Sequence, residues 1–225
     1  TRYNYKKVRN VTMKKITAFV LSAVMVLSVI PFGVFAASGS GTETDPYQIA
    51  TAADLIKMHE DLSAHYELVA DIDMEGIDFE PIGNESEGSF TGSLDGKGHK
   101  ISNLNLELPN NKFVGFIGCM EGGTVKNLNI ENVSASGYRY VGGLVGYVGE
   151  GSCVENCSVS GNVENEYVMG AIYTGGITGY SIGVIRTCIN YSSVYSDGKN
   201  DVDDSSPGTG GIVGYNGGSI FECTN

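Results

Sequence analysis

Apolar and polar positions recur along the second half of the chain with a spacing longer than any single helix or strand. Five segments, TGSLDG, FVGFIG, VGGLVG, TGGITG and TGGIVG, align on their last glycines: Gly96, Gly118, Gly146, Gly179 and Gly214. Their fourth position is always apolar, with Leu94, Phe116, Leu144, Ile177 and Ile212. A second short strand follows each one, in ISNLNL, VKNLNI, VENCSV, IRTCIN and IFECTN. It carries one apolar column at Ile101, Val125, Val154, Ile185 and Ile220, and another three residues on at Leu104, Leu128, Cys157, Cys188 and Cys223. Between the two lie mostly polar residues: Asn103, Asn127, Asn156, Thr187 and Glu222.

Short strands repeating in register predict an all-β parallel β-helix, in which each strand stacks on its equivalent in the next coil and one residue type climbs a column. The glycine intervals are 22, 28, 33 and 35 residues. Three strands and three short connections need roughly 20–25 residues, so the shortest interval reads as a bare coil. The added length then falls in surface excursions at 161–173 and 195–208. The second apolar column should point inward as a unit from Leu104 to Cys223.

Helical spacing occurs once in the exported part, in TAADLIKMHEDLSAH. Thr51 can act as N-cap and Asp54 as the capping-box acid, with Leu55, Ile56, Met58 and Leu62 on one apolar face. This predicts an N-terminal capping helix that covers the first coil. Further upstream, Met13-Lys14-Lys15, the apolar run Ile16–Ile30 and the small residues before Ala37 form a secretory signal peptide over 13–37. The run is shorter than the ~20 residues of a membrane span. Residues 1–12 read as upstream translation or a gene edge, and 38–225 as the β-helix, truncated inside a second strand at Asn225.

Composition supports this picture. Glycine accounts for 32 of 225 residues, about twice the usual share of roughly 7%, and with five prolines and no collagen period it points to turns and close packing. Of 14 basic residues, six lie in 1–36 with no acidic residue beside them, which leaves eight against 26, a net charge of about −18. Nucleic acid and anionic lipid are thereby excluded as partners of a basic patch; the membrane enters only through the signal peptide during export. All five cysteines, Cys119, Cys153, Cys157, Cys188 and Cys223, lie in the exported part. The column of three reads as an internal ladder of thiols, with a disulfide between neighbouring coils as the alternative, since strands stack ~4.8 Å apart.

These residues carry a resemblance. VGGLVGYVGEGSCVENCSVSGNV resembles the GLUG motif of bacterial surface proteins, and GSGTETDPYQIATAADLIKM, YELVADIDMEGIDFEPIG and FTGSLDGKGHKISNL resemble the opening of the same modules. The resemblance spans most of 39–225 and implies a right-handed parallel β-helix of the kind found in adhesins and in non-catalytic regions of immunoglobulin-A protease-like metallopeptidases. Phe116 and Asp95 depart from the pattern.

Candidate chemistry is sparse. His59-Glu60 begins a zinc-protease motif, but Ser63 stands where the second histidine is needed. Asp71, Asp73, Glu75 and Gly76 imitate half of a calcium loop that Ile82 then breaks. Asp197, Asp201, Asp203 and Asp204 form a better cation loop or, more simply, a solvated charge run. Tyr147, Tyr180 and Tyr215 follow three successive anchor glycines and form either a sugar-binding platform or a structural ladder. Lyases and glycosidases need a convergent acid, base or metal, which the second-strand positions do not supply. The sequence therefore predicts a secreted or cell-surface module for adhesion, glycan or protein binding, or spacing, without catalysis or cofactor of its own. Its partners would be host or cell-wall glycans or surface proteins. The alternative is the non-catalytic N-terminal region of a larger surface metallopeptidase or carbohydrate-active enzyme.

Overall fold

In a computed structural model, which describes residues 38–165, 172–196 and 207–225, the chain winds into a parallel β-solenoid of about four turns. Four sheets run along it. The first stacks Tyr47–Ile49, His65–Leu68, Ser93–Asp95, Thr124–Lys126, Cys153–Glu155, Val184–Arg186 and Ser219–Phe221. The second is centred on Ile72–Asp73, Lys100–Ser102, Asn129–Gly137, Ser158–Asn165 and Ile189–Asn190, extended by Asn105–Leu108 and Ser193–Ser196. The third stacks Phe113–Val114, Tyr140–Gly142, Tyr173–Gly175 and Gly208–Gly210, and the fourth Ile117–Met120, Val145–Val148, Thr178–Ser181 and Val213–Asn216. The predicted signal peptide and the acidic loop at 197–204 lie outside the described residues.

Apolar ladders fill the interior. Leu94, Val125, Val154, Ile185 and Ile220 are successive register partners in the first sheet. Ile72, Ile101, Ile130 and Val159 do the same in the second. All except Ile220 are buried. At roughly 25 cal/mol per Å², such columns repeat the same burial gain at every coil. The strands are too short to be stable unless stacked.

The first coil differs from its predicted alignment. TGSLDG is not a glycine strand: Leu94 pairs with Val125, and Gly83 is the true partner of Gly118, because Cys119 N donates to Gly83 O. Ile101 and Leu104 accordingly belong to the second sheet, where Ile101 pairs with Ile130 and Ser134 N donates to Leu104 O. Leu104 points inward in the column of Val133, with the Ile101–Ile130 column between it and Leu128. Each coil also has more sides than predicted, and the first-sheet ladder advances by 31, 29, 31 and 35 residues. The predicted excursion at 161–173 begins as strand, since Asn162–Asn165 pairs along Ser193–Ser196, and its residues 166–171 lie outside the described residues.

Leu128, Cys157, Cys188 and Cys223 do stack as one column, through Ser158 N to Leu128 O, Ile189 N to Cys157 O and Thr224 N to Cys188 O. All five cysteines are free thiols. The hydrogen bond with Cys188 and burial push the Cys157 thiol well above its ordinary pKa, so it sits in the wall as a neutral apolar group.

The polar residues between the columns mark a corner. Asn127, Asn156, Thr187 and Glu222 all have φ between 51° and 54°, a left-handed conformation that asparagine tolerates better than most residues. Asn156 Nδ2 donates to Asn127 Oδ1 at 2.8 Å, and Asn127 Nδ2 to Asp95 Oδ1 at 2.9 Å. Asn103 lies on a separate corner, between Asp73 and Asn132.

Helix occurs at Ala52–Ile56, followed by a 3₁₀ turn at Lys57–Glu60. Thr51 and Asp54 form the predicted capping box, and Leu55 and Met58 enter the main core. Ile56 is exposed instead of joining that face, because the helix stops after five residues and the chain turns to enter the strand His65–Leu68.

Candidate functional site

The glycine strands owe their composition to close approach between the third and fourth sheets. A Cβ on Gly179 would lie 2.4 Å from Val141 N and 2.7 Å from Tyr140 C. Backbone therefore packs against backbone at this corner, with no space for a side chain. The residues on either side of the glycines project outward as two adjacent columns.

One column contains the predicted Tyr147, Tyr180 and Tyr215. Centroids are 5.3 Å apart for Tyr147–Tyr180 and 4.6 Å for Tyr180–Tyr215, with interplanar angles of 9° and 11°. The other column was not singled out in the sequence. Phe113 stacks on Tyr140 at 5.3 Å, and Tyr140 on Tyr173 at 6.0 Å. Cross-contacts join the columns: Tyr140 meets Tyr180 edge-on at 5.3 Å, and Phe113 meets Tyr147 at 5.8 Å. Aromatics seven residues apart across two of the glycine strands, Tyr140/Tyr147 and Tyr173/Tyr180, were the signal that could have revealed the second column.

Six rings thus form one seam. Because the rings within a column lie face to face, their faces are largely occupied by one another. Edges and phenol oxygens are what the seam offers to solvent, which favours hydrogen bonding over stacking as its means of recognition. Burial, followed by the Glu121 carboxylate, raises the Tyr147 phenol, and burial followed by Tyr215 raises Tyr180. Both hydroxyls consequently remain protonated donors at neutral pH. Cations flank the seam: Lys112 Nζ lies 5.0 Å from the Phe113 centroid and the Arg139 guanidinium 5.3 Å from that of Tyr140.

The other candidates are held in local structure. His59 contacts Glu87 Oε2 through Nδ1 at 2.7 Å and Glu80 O through Nε2 at 3.2 Å. Asp71 accepts from His99 Nδ1 and Lys100 N, while Asp73 accepts from Asn103 Nδ2 and Glu75 N. Among the described residues no three acidic, histidine or cysteine side chains gather as a metal set.

Comparison with known proteins agrees with this architecture. Residues 137–164, which contain the first tyrosine pair, match the GLUG motif family. The chain is 35% identical over 147 residues to halomucin of Haloquadratum walsbyi, covering 60% of this chain and 2% of that protein. It is 34% identical over 103 residues to a Gly-rich membrane protein of Evansella cellulosilytica, covering 42% of this chain and 12% of that one. Among solved structures, an immunoglobulin A1 protease-like protein from Bacteroides ovatus superposes with a TM-score of 0.65 at 27% identity, over 82% of this chain and 58% of that chain. The chain therefore spans a small fraction of the two sequence relatives and over half of the structural one.

Proposed function

We propose that this chain is a non-catalytic module of a secreted or cell-surface protein, exported by its signal peptide, which holds adhesive surface at a distance from the cell. The helix at Ala52–Ile56 caps the first turn of a right-handed coil. The tyrosine seam contributes contacts to host or cell-wall glycans or to surface proteins. The carrying observation is the stacking of six aromatic rings, all but Tyr215 half-buried, in two adjacent columns along one corner. The GLUG match and surface-type relatives point to the same setting.

Display of the chain on a non-adherent cell tests this. Retention on mucin- or cell-wall-coated surfaces should exceed that of cells displaying an unrelated domain, and Tyr180→Ser with Tyr215→Ser should lower it. Retention no better than the control would defeat the adhesive reading. A second reading, the front of a larger surface metallopeptidase or carbohydrate-active enzyme, is favoured by the Bacteroides ovatus neighbour alone. A gene that continues into a catalytic domain would select it.

A further inference from the structure

At the Phe113 end of the seam the wall opens into a groove of about 450 Å³, a volume within the usual range for small-ligand sites. Three consecutive turns of the coil converge on it. Asn84 and Glu85 come from the first, Asn110, Asn111 and Phe113 from the second, and Tyr138 from the third. Phe113 is the first ring of its column: Tyr140 stacks on it, and its strand is the edge of the third sheet. Lys112 Nζ lies over the ring and donates to Glu85 Oε1 at 2.6 Å, so the faces of Phe113 are covered by Tyr140 and by this ammonium. Among the described residues the side-chain amides of Asn110 and Asn111 and the Tyr138 hydroxyl have no hydrogen-bond partner. Asn111 and Tyr138 are nevertheless only half-exposed and are tied together by Tyr138 N donating to Asn111 O.

The geometry points to a binding site for a neutral saccharide unit in this groove, an assignment that rests on the adhesive reading above and gives it a location. Pro81 and the Tyr138 ring, which has no aromatic partner among the described residues, supply the apolar wall beside uncommitted amides and a phenol, a lining that matches the alternating apolar and hydroxyl surfaces of a pyranose. Glu80 and Glu85 outnumber Lys112 among the lining charges, so an anionic sugar would meet net repulsion. The seam offers mainly ring edges, whereas the groove offers amides that can both donate and accept.

The test is a titration of the chain with lacto-N-tetraose and with mannotriose, followed by amide NMR, with sialyllactose as the anionic comparison. At least one neutral probe should shift amides of 84–86, 110–113 and 138 at up to millimolar concentration, and sialyllactose should bind more weakly. The double variant Asn110→Ala/Asn111→Ala, with unchanged circular dichroism and melting, should bind about tenfold more weakly, as expected for the loss of one or two hydrogen bonds. Undiminished binding by this variant, or equal binding of sialyllactose, overturns the proposal. Shifts confined to Tyr147, Tyr180 and Tyr215 overturn the groove but keep glycan binding, whereas the absence of shifts with any probe, together with failed retention on glycan surfaces, removes both.

Discussion

Asn156 holds a backbone at φ 51° and at the same time donates to Asn127 across the coils. An alanine there loses the hydrogen bond and must adopt a left-handed conformation, at a combined cost of about 1–2 kcal/mol. Glycine loses the bond but accepts the conformation, so Asn156→Gly should destabilise by less than Asn156→Ala in urea unfolding. Asp95 at the foot of that ladder sets a pH dependence. Partial burial raises its carboxyl, but hydrogen bonds from Asn127 and Lys97 N, with the Lys97 and Lys126 ammoniums, outweigh this and leave it below the usual carboxylate range. A folded pKa below the unfolded one gives stability that is present above the unfolded value, near about 4. That stability is lost as pH falls through the folded value. Unfolding midpoints between about pH 3 and pH 5 should therefore rise more steeply for the wild type than for Asp95→Asn; parallel slopes would remove Asp95 from the account.

At the scale of the element, the glycine corner separates two kinds of glycine. Gly179→Ala sets a Cβ against backbone atoms of Tyr140 and Val141 that cannot yield without shifting two coils, and should cost about 3 kcal/mol or more. Gly122 has open space around its Cβ position and φ +72°, so Gly122→Ala should cost only about 1 kcal/mol. Equal losses on thermal melting would refute close packing as the reason for the glycines. The repeat of these strands was legible because a close approach between sheets permits one residue type and reappears at every turn. The first coil was not legible by the same means. TGSLDG has its glycines in almost the right places, yet Gly92 is there because of the Ala64 carbonyl and Gly96 because of the Asn127 and Leu128 backbone, contacts that belong to another sheet. Pattern alone does not reveal which neighbour a glycine is avoiding. The tyrosines Tyr147, Tyr180 and Tyr215 stood out because they follow the anchor glycines, whereas Tyr140 and Tyr173 precede the motif, Phe113 opens it, and all three lie beside the first column only once the corner has folded the chain back. The groove beyond Phe113 was equally hidden, since it joins three loops separated by about one coil each.

For the whole molecule, protection should follow axial coverage. The coil bearing Tyr215, Ile220 and Phe221 leaves those side chains 42%, 38% and 55% exposed, whereas Val145 and Val154 are fully buried. In a polypeptide of residues 38–225, amides of 209–225 should thus exchange faster than those of 141–160, the Ile220 coil there having one stacking interface in place of two. Equal protection would mean that the outer coil is covered by something other than its neighbour. Stacking also determines how the chain bears load. The interstrand hydrogen bonds run along the solenoid axis, so a pull on the two chain ends meets them one coil at a time, as a seam is unpicked stitch by stitch. Each released coil of 29–35 residues would add roughly 10 nm of contour length. Under load the chain would then lengthen in steps of similar size and rewind when slack, in place of breaking as a rod does.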